Sequence, residues 1–308
     1  MKVAQLAKFG SENFQIVDIE PPILQDDQIL IGVHSACINP FDVKFVSGVY
    51  GGDAPFPITA GGDFSGVVKK VEGGVSEFKI GDEVFGSALI QNGGSGSFAA
   101  FSAANTKNTA LKPKNASFDE AAALPLVGSS ATQALEDHIK LRSGQKILIH
   151  GGAGGIGHMA VQIAKEIGAY VATTVSSDDV EFARSLGADE VIDYKTQDFS
   201  QILKDFDAVF DTVGESVWEK SFEVLKKGGV IVSMLGQPGP ETAKQKGINS
   251  IGQFTQTNTQ HLIRLADYVD KGKVKVSVDK IFPLEEIRQA FQYQENNSPN
   301  GKVVIKMK

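Results

Sequence analysis

The chain has almost no cysteine, no long apolar run and no block of basic residues, and each absence excludes a class of protein. Cys37 is the only cysteine among the 308 residues, which excludes an internal disulfide and a cysteine cluster for structural zinc. No apolar stretch reaches the roughly 18 residues that a membrane span requires. Residues 1–6 are typical of a first β-strand and lack the apolar region of a signal peptide. The net charge is −7, which argues against nucleic acid or an anionic membrane surface as the main partner. We therefore expect a cytoplasmic protein.

The pattern of apolar residues changes along the chain and predicts an α/β protein with two domains. Up to about residue 125, short β-rich runs between turns predict a closed or partly open antiparallel β domain, with strands at 28–33, 66–71 and 83–86. Residues 126–255 alternate between strands at 146–150, 170–175, 190–193, 208–211 and 230–234 and helices that include 178–186 and 218–225. This alternation predicts a parallel sheet covered on both faces.

The last stretch differs from both, with a helix at 259–270, a strand at 274–278, a helix at 284–294 and a final strand at 302–307. We expect this tail to rejoin the first domain. Residues 1–125 and 256–308 would then form one domain, and residues 126–255 would form a doubly wound domain inserted into it. Segment 248–254 is a candidate sixth strand at an exposed sheet edge, where a second copy could pair to give a homodimer.

A glycine-rich turn follows the apolar run 146–150 and precedes an amphipathic stretch. Gly152, Gly154 and Gly157 fit the spacing G-x-G-x-x-G of dinucleotide-binding turns. The first glycine permits the tight turn, the second lets the backbone approach a pyrophosphate, and the third lets helix pack on strand. A purely structural corner is the alternative. The predicted phosphate cradle consists of Gly152, Ala153, Gly154, Gly155, Ile156 and Gly157.

The choice of dinucleotide depends on the end of the second strand of this domain. An acidic residue about 20 positions past the first glycine normally binds the ribose 2′-OH and repels a 2′-phosphate, but here that position falls on Thr174. Ser176 and Ser177 could donate to a phosphate, so the sequence favours NADPH, with NADH as the alternative. Asp178 and Asp179 weaken this preference, and we interpret Asp178 as forming a capping box with Glu181. Arg184 could supply a cation and Tyr194 a face for the adenine.

Several further segments accompany the glycine turn in a fixed order: Asn39-Pro-Phe-Asp-Val-Lys44, 60–68, 75–84, 121–125, 186–194, 211–214 and 301–304. Together they resemble the medium-chain dehydrogenase/reductase superfamily, and most of all its zinc-free branch of quinone oxidoreductases and enone (alkenal double-bond) reductases. The resemblance implies a GroES-like, partly open β-barrel domain and a Rossmann domain, with the nicotinamide in the cleft between them. The zinc-binding relatives have a ligand set at positions that fall here on Asn39, Gly62 and about Leu126, so the resemblance implies no metal site.

The resemblance also implies roles for individual residues. It places Asn39 and Lys44 near the nicotinamide and makes Tyr50 the phenol nearest the acceptor; a turn, a solvated helix residue and loop packing are the respective alternatives. We expect Asp63 to make structural hydrogen bonds and Cys37 to act as a small buried apolar residue. The remaining residues implied at the cofactor are Ser130, Asp211, Val213, Leu235 and Gly236.

These features predict an enzyme that transfers hydride from NADPH to a quinone or an α,β-unsaturated carbonyl. A conjugated acceptor delocalises the developing charge onto oxygen, so it does not require a Lewis acid. An NADPH-binding structural or sensor protein of the same fold remains a second hypothesis, because fold does not fix function. A zinc alcohol dehydrogenase is disfavoured by the missing ligands. A short-chain dehydrogenase is disfavoured because Tyr268 and Lys271 are three positions apart rather than four.

Overall fold

The computed structural model describes residues 1–50, 52–297, 299 and 301–307. Its strands are β1 Lys2–Leu6, β2 Phe14–Asp18, β3 Gln28–Ile38, β4 Ile58–Thr59, β5 Asp63–Val71, β6 Glu83–Ser87, β7 Phe101–Asn105, β8 Thr109–Leu111, β9 Lys146–His150, β10 Tyr170–Val175, β11 Glu190–Asp193, β12 Phe206–Asp211, β13 Leu225–Ser233, β14 Asn249–Gly252, β15 Val278–Pro283 and β16 Lys302–Lys306. Its α-helices are α1 Pro40–Val46, α2 Phe118–Ala122, α3 Pro125–Thr132, α4 Gly157–Ile167, α5 Val180–Ser185, α6 Phe199–Ile202, α7 Glu215–Val224, α8 Pro240–Lys246, α9 Thr259–Asp270 and α10 Ile287–Asn296.

The chain forms two compact units, which we describe separately. The first consists of Met1–Leu126, Thr257–Gly272 and Val276–Lys308, and the second of Val127–Gln256 and Lys273–Lys275. The sequence analysis placed the two domain boundaries after residues 125 and 255, and in the structure each lies one residue later. The short segment Lys273–Lys275, which belongs to the second unit, was not expected. No helix in the part of the chain that the structure describes is long and apolar enough to cross a membrane.

The first unit is built on two sheets. One has the strand order β2-β1-β4, and the other has the order β15-β16-β3-β5-β6-β8, with β7 also pairing with β3. β16 runs antiparallel to β3 and pairs Val303 with Ile38 and Val304 with Cys37. Cys37 is fully buried and packs with Ala123 and Val304, in agreement with the small apolar role expected for it. This pairing also places the start of β16 beside the end of β3, where Asn39 precedes α1.

The second unit is a parallel six-stranded sheet in the order β11-β10-β9-β12-β13-β14. Four of the five residues of β9 and five of the six residues of β10 are buried, because helices cover both faces of a sheet of this kind. The strand order reverses between β9 and β12, and ligands of doubly wound sheets bind beyond the carboxyl ends of the strands at such a point. The predicted α/β fold class is confirmed.

Two predictions of local structure are wrong. The strand predicted at 274–278 begins at Val278 instead, because pairing with β16 starts there, while Val274 is buried without a strand partner in the described residues. The helix predicted at 178–186 begins as a 3-10 turn over Ser177–Asp179, and the capping box does not form. The Asp179 carboxylate accepts a hydrogen bond from the Ser176 hydroxyl (2.6 Å) and forms no cap.

Candidate active site

The glycine turn joins the carboxyl end of β9 to α4. Gly151 has a φ of 74°, a left-handed conformation that favours glycine. A Cβ atom on Gly157 would lie 2.0 Å from the Gly151 carbonyl oxygen, and one on Gly152 would lie 2.0 Å from Thr173 Oγ1. A Cβ on Gly154 would meet only the Gly151 oxygen, at 3.3 Å. Packing therefore requires glycine at two positions, whereas a Cβ on Gly154 would make a single tight contact with one backbone oxygen.

Backbone N–H groups in this turn are available to a ligand. Those of Ala153, Gly155 and Ile156 donate to no acceptor within the described residues. The three residues immediately precede α4, an eleven-residue helix, whose N-terminus carries the positive end of the helix dipole. Unpaired N–H groups at such a helix start form a cradle for a phosphate group. The turn thus has the chemistry that pyrophosphate binding requires.

The hydroxyl of Thr174 is used inside the protein. His150 Nδ1 lies 3.0 Å from Thr174 Oγ1, and its Nε2 lies 3.0 Å from Ser221 Oγ. Ser221 donates its proton to the Val217 carbonyl (2.7 Å), so the network assigns the proton of His150 to Nε2 and makes Thr174 the donor to Nδ1. Burial lowers the pKa of His150 to about 4, so the ring is neutral at pH 7. Contact between Thr174 and a ribose remains a prediction.

Two carboxylates hold the serine hydroxyls that follow β10. Ser176 donates to Asp179 (2.6 Å) and Ser177 donates to Asp193 (2.7 Å). The bond from Ser177 holds the pKa of Asp193 below its usual value. Tyr194, beside Asp193, is 58% exposed, so its ring is open to a stacking partner. Asp193 was not among the predicted site residues. The Asp-Tyr pair at the end of β11 could have indicated it, but only Tyr194 of that pair was considered.

Asp211, at the end of β12, is fully buried and shapes the turn that follows. Its carboxylate accepts from the backbone N–H groups of Val213 (2.8 Å) and Gly214 (3.1 Å), from Trp218 Nε1 (2.8 Å) and from the Ser233 hydroxyl (2.7 Å). These donors occupy both carboxylate oxygens. Asp211 therefore contributes to the site by fixing the turn that follows β12.

The exposed apolar side chains of Val213 and Leu235 lie beside this turn, 46% and 48% exposed. A Cβ on Gly151 would lie 3.4 Å from Val213 Cγ2, and one on Gly214 would lie 3.0 Å from Leu235 Cδ1. Gly236 follows with a φ of 122°. The predicted residues at the ends of β12 and β13 therefore give the edge of the sheet an apolar border close to the glycine turn.

Ser130 lies in a buried polar group with two residues that follow β14. Its hydroxyl lies 2.7 Å from Thr255 Oγ1, and its carbonyl oxygen accepts from Gln253 Nε2 (2.9 Å). The amide oxygen of Gln253 has no hydrogen-bond partner in the described residues, although Gln253 is only 6% exposed. A buried acceptor without a donor indicates a missing partner. Nothing in the sequence singled out Gln253.

In the first unit, Asn39 lies in a buried network. Its backbone N–H donates to Asp42 Oδ2 (2.8 Å), its amide nitrogen donates to Asp63 Oδ2 (2.9 Å), and its amide oxygen accepts from the Lys302 ammonium. Burial raises the pKa of Asp42 to about 7 and that of Asp63 to about 6. Asn39 is only 2% exposed, so its predicted contact with a nicotinamide remains a prediction, while its structural contacts are clear.

The same network joins the positions that correspond to zinc ligands in the relatives that bind the metal. Asp63, next to Gly62, also accepts from the backbone N–H of Leu126 (3.0 Å), so these three positions lie close together. Their residue types are an amide, a glycine and an aliphatic residue, and zinc sites use cysteine, histidine and carboxylate. No group of three or more such residues in the described parts of the chain could hold a metal. The residues present do not fit zinc.

Lys44 and Tyr50, two of the predicted catalytic residues, lie together. Lys44 Nζ is 3.4 Å from the Tyr50 hydroxyl and 5.4 Å from the centre of its ring. The ring of Phe41 stacks on that of Tyr50 at 5.7 Å, and Tyr50 is 50% exposed. The Tyr50 hydroxyl is therefore accessible to a ligand and lies beside an ammonium group, and the catalytic role of the pair remains a prediction.

Comparison with known proteins supports the fold described above. A family model for the alcohol dehydrogenase GroES-like domain matches residues 25–114, and one for zinc-binding dehydrogenases matches residues 186–305. The chain is 38% identical to a 2-methylene-furan-3-one reductase of Solanum lycopersicum, over 99% of this chain and 79% of the relative. It is 37% identical to a chloroplastic NADPH-dependent alkenal/one oxidoreductase of Arabidopsis thaliana, over 94% of this chain and 74% of the relative.

Among solved structures, the quinone oxidoreductase of Coxiella burnetii is similar over 100% of this chain and 99% of its own, with a TM-score of 0.91 and 34% identity. The similarity of sequence and of fold therefore extends over both units.

Proposed function

The chain belongs to the medium-chain dehydrogenase/reductase superfamily and is an oxidoreductase of the quinone oxidoreductase and enone reductase type, and we propose that it is an NADPH-dependent, zinc-independent reductase of quinones or α,β-unsaturated carbonyls. The observation that carries the proposal is the glycine turn, where a Cβ on Gly154 would meet only one backbone oxygen and unpaired N–H groups lie at the start of α4. Two relatives whose names specify reduction of conjugated carbonyls support the acceptor class.

The second unit offers a nicotinamide dinucleotide several kinds of contact. The glycine turn would bind the pyrophosphate through backbone N–H groups, and Val213 and Leu235 would contact the apolar faces of the sugar and the ring. The unpartnered amide oxygen of Gln253 would accept from the carboxamide of the nicotinamide. When bound, the cofactor supplies a hydride from C4 of its ring.

The preference for NADPH is supported by the absence of a carboxylate at Thr174 and by the relative named as NADPH-dependent. Asp179 and Asp193 act in the opposite direction, because they hold the hydroxyls of Ser176 and Ser177 and place negative charge near a 2′-phosphate. NADH therefore remains the alternative cofactor. The outcome depends on whether the two serine hydroxyls leave their carboxylates when a phosphate binds.

Residues of the first unit would supply the proton that the reaction requires. Hydride addition to the β-carbon of an enone leaves an enolate, whose α-carbon must then gain a proton. We assign that proton to the Tyr50 hydroxyl, with the Lys44 ammonium stabilising the phenolate until it regains a proton from solvent. The buried network at Asn39 holds the start of α1, the helix that carries Lys44. With a quinone acceptor, one hydride and one proton give the hydroquinone.

The test is consumption of NADPH and of NADH against a panel of quinones, enones and alkenals, with zinc measured on the same sample. We expect NADPH oxidation with a conjugated acceptor, no activity with simple alcohols, and full activity after chelation. Tight NADPH binding without turnover on any acceptor would favour the structural or sensor protein. Stoichiometric zinc with alcohol oxidation would favour the alcohol dehydrogenase.

The proposed enzyme is a cytoplasmic homodimer. β14 lies at the edge of its sheet, and Phe254, just beyond it, is 77% exposed. An open strand edge beside an exposed aromatic side chain favours pairing with a second copy. Light scattering at working concentration checks this, since a monomer mass would contradict it.

A further inference from the structure

A buried ammonium group belongs to the network that joins Asn39, Asp63 and Leu126. Lys302, the first residue of β16, is only 3% exposed. Its Nζ donates to the Ile38 carbonyl (3.1 Å) and to the Asn39 amide oxygen. Burying an ammonium group is costly unless compensating groups accompany it. This lysine therefore requires an explanation beyond packing.

The compensating negative charge comes mainly from Asp63 and in part from Asp42, because burial raises the pKa of Asp42 to about 7 and that of Asp63 only to about 6. The two residues are 3% (Asp42) and 2% (Asp63) exposed. Among the described residues, neither carboxylate lies within salt-bridge distance of the ammonium. Asn39 connects the three charged groups instead. Its amide oxygen accepts from Lys302, its amide nitrogen donates to Asp63, and its backbone N–H donates to Asp42. The amide of Asn39 is thus fixed in one orientation by a cation on one side and an anion on the other.

This network connects four separate segments of the first unit. Asn39 precedes α1, Asp63 begins β5, Leu126 lies in the first turn of α3, and Lys302 begins β16. The antiparallel pairing of Val303 with Ile38 brings Lys302 to Asn39, and the hydrogen bond from the Leu126 N–H to Asp63 completes the connection.

We propose that Lys302 is a positioning residue, whose buried ammonium holds together the segments at Asn39, Asp63 and Leu126. It thereby fixes the amide of Asn39 and the start of α1, and with them the Lys44–Tyr50 pair. The part of this inference that concerns turnover rests on the proposed function, whereas the part that concerns α1 does not.

The variants separate positioning from charge balance. Lys302→Met removes the cation and leaves two acceptors and two carboxylates uncompensated. Lys302→Met with Asp63→Asn keeps acceptors for the N–H groups of Asn39 and Leu126 while removing one negative charge. Lys306→Met is the matched control, since Lys306 lies at the other end of the same strand with its side chain 52% exposed. Each is measured by urea unfolding, by hydrogen exchange of α1 peptides, and by kcat and KM with NADPH and an enone.

We expect Lys302→Met to lower the urea midpoint, to speed exchange in α1 at least about tenfold, and to lower kcat by about 10²-fold, as expected for a misplaced catalytic group. In the double variant the urea midpoint should return most of the way to the wild-type value. Exchange in α1 should remain fast and kcat should remain low. Lys306→Met should resemble the wild type in every measurement.

Wild-type exchange in α1 for the double variant would overturn the proposal, and so would a kcat restored together with the urea midpoint, because Lys302 would then supply charge balance alone. If the wild type reduces no enone or quinone, the proposed function fails. Exchange in α1 still decides the role of Lys302 in that case, since it needs no turnover.

Discussion

Alanine at two positions of the glycine turn should separate folding from cofactor binding. A Cβ on residue 157 would lie 2.0 Å from the Gly151 oxygen and 2.8 Å from the Gly152 Cα, both backbone atoms. Because Cβ atoms essentially never come within 3.0 Å of another atom, Gly157→Ala must displace the turn or the start of α4 by about 1 Å. Such overpacking costs about 1–3 kcal/mol of stability.

Gly154→Ala is the matched change. Its Cβ would meet only the Gly151 oxygen, at 3.3 Å, a contact that a shift of a few tenths of an ångström relieves, so the loss of stability should be well below that of Gly157→Ala. The methyl group would instead occupy the space that a pyrophosphate needs. We expect the Kd for NADPH to rise at least about tenfold, which corresponds to about 1.4 kcal/mol.

The assay combines titration of NADPH fluorescence with urea unfolding of the same samples. Gly157→Ala should weaken binding and lower the urea midpoint, whereas Gly154→Ala should weaken binding with a much smaller change in the midpoint. If Gly154→Ala binds NADPH as tightly as the wild type, the turn does not hold the pyrophosphate and the proposed cofactor site is refuted.

Three further predictions follow from the contacts around the site. Asp193→Asn removes a negative charge beside Ser177, so the ratio of kcat/KM for NADPH to that for NADH should rise several-fold, and an unchanged ratio would place the 2′-phosphate elsewhere. Burial lowers the pKa of His150 from 6.5 to about 4, so between these pH values the unfolded chain binds a proton that the folded chain does not. The wild type should therefore lose urea stability relative to His150→Gln as the pH falls from 6.5 to 4. The same pH dependence of stability in both proteins would contradict this. Tyr50→Phe should lower kcat for enones about 10²-fold with an unchanged Kd for NADPH, and full activity would assign the proton to solvent.

The sequence predicted the features that depend on short-range patterns. β9, β10 and β11 lie at the predicted residues, because apolar runs and glycines mark them locally. β15 was misplaced because its start depends on pairing with β16, a partner that local periodicity does not identify. Helix α9 was predicted at its observed bounds, since a polar Asn258 cap and a 3.6-residue period define it.

The site was harder to predict where its contacts link distant segments. The bond between Asn39 and Lys302 joins residues 263 positions apart, and no pattern in the sequence indicates it. Asn39 was identified through the resemblance, but its two amide partners and its burial were not. The internal partners of Thr174 and Ser177 were likewise hidden, because hydroxyl donors are equally common in ligand sites and in buried networks.

Transfer of deuteride from C4 of labelled NADPH to an α,β-unsaturated ketone tests the central claim most directly. The protein is first treated with a chelator and its zinc content measured, and the product is analysed by mass spectrometry and NMR. We predict a saturated ketone with one deuterium at the β-carbon, formed at an undiminished rate by zinc-free protein. Absence of the label from the β-carbon, or activity that returns only with added zinc, would contradict it.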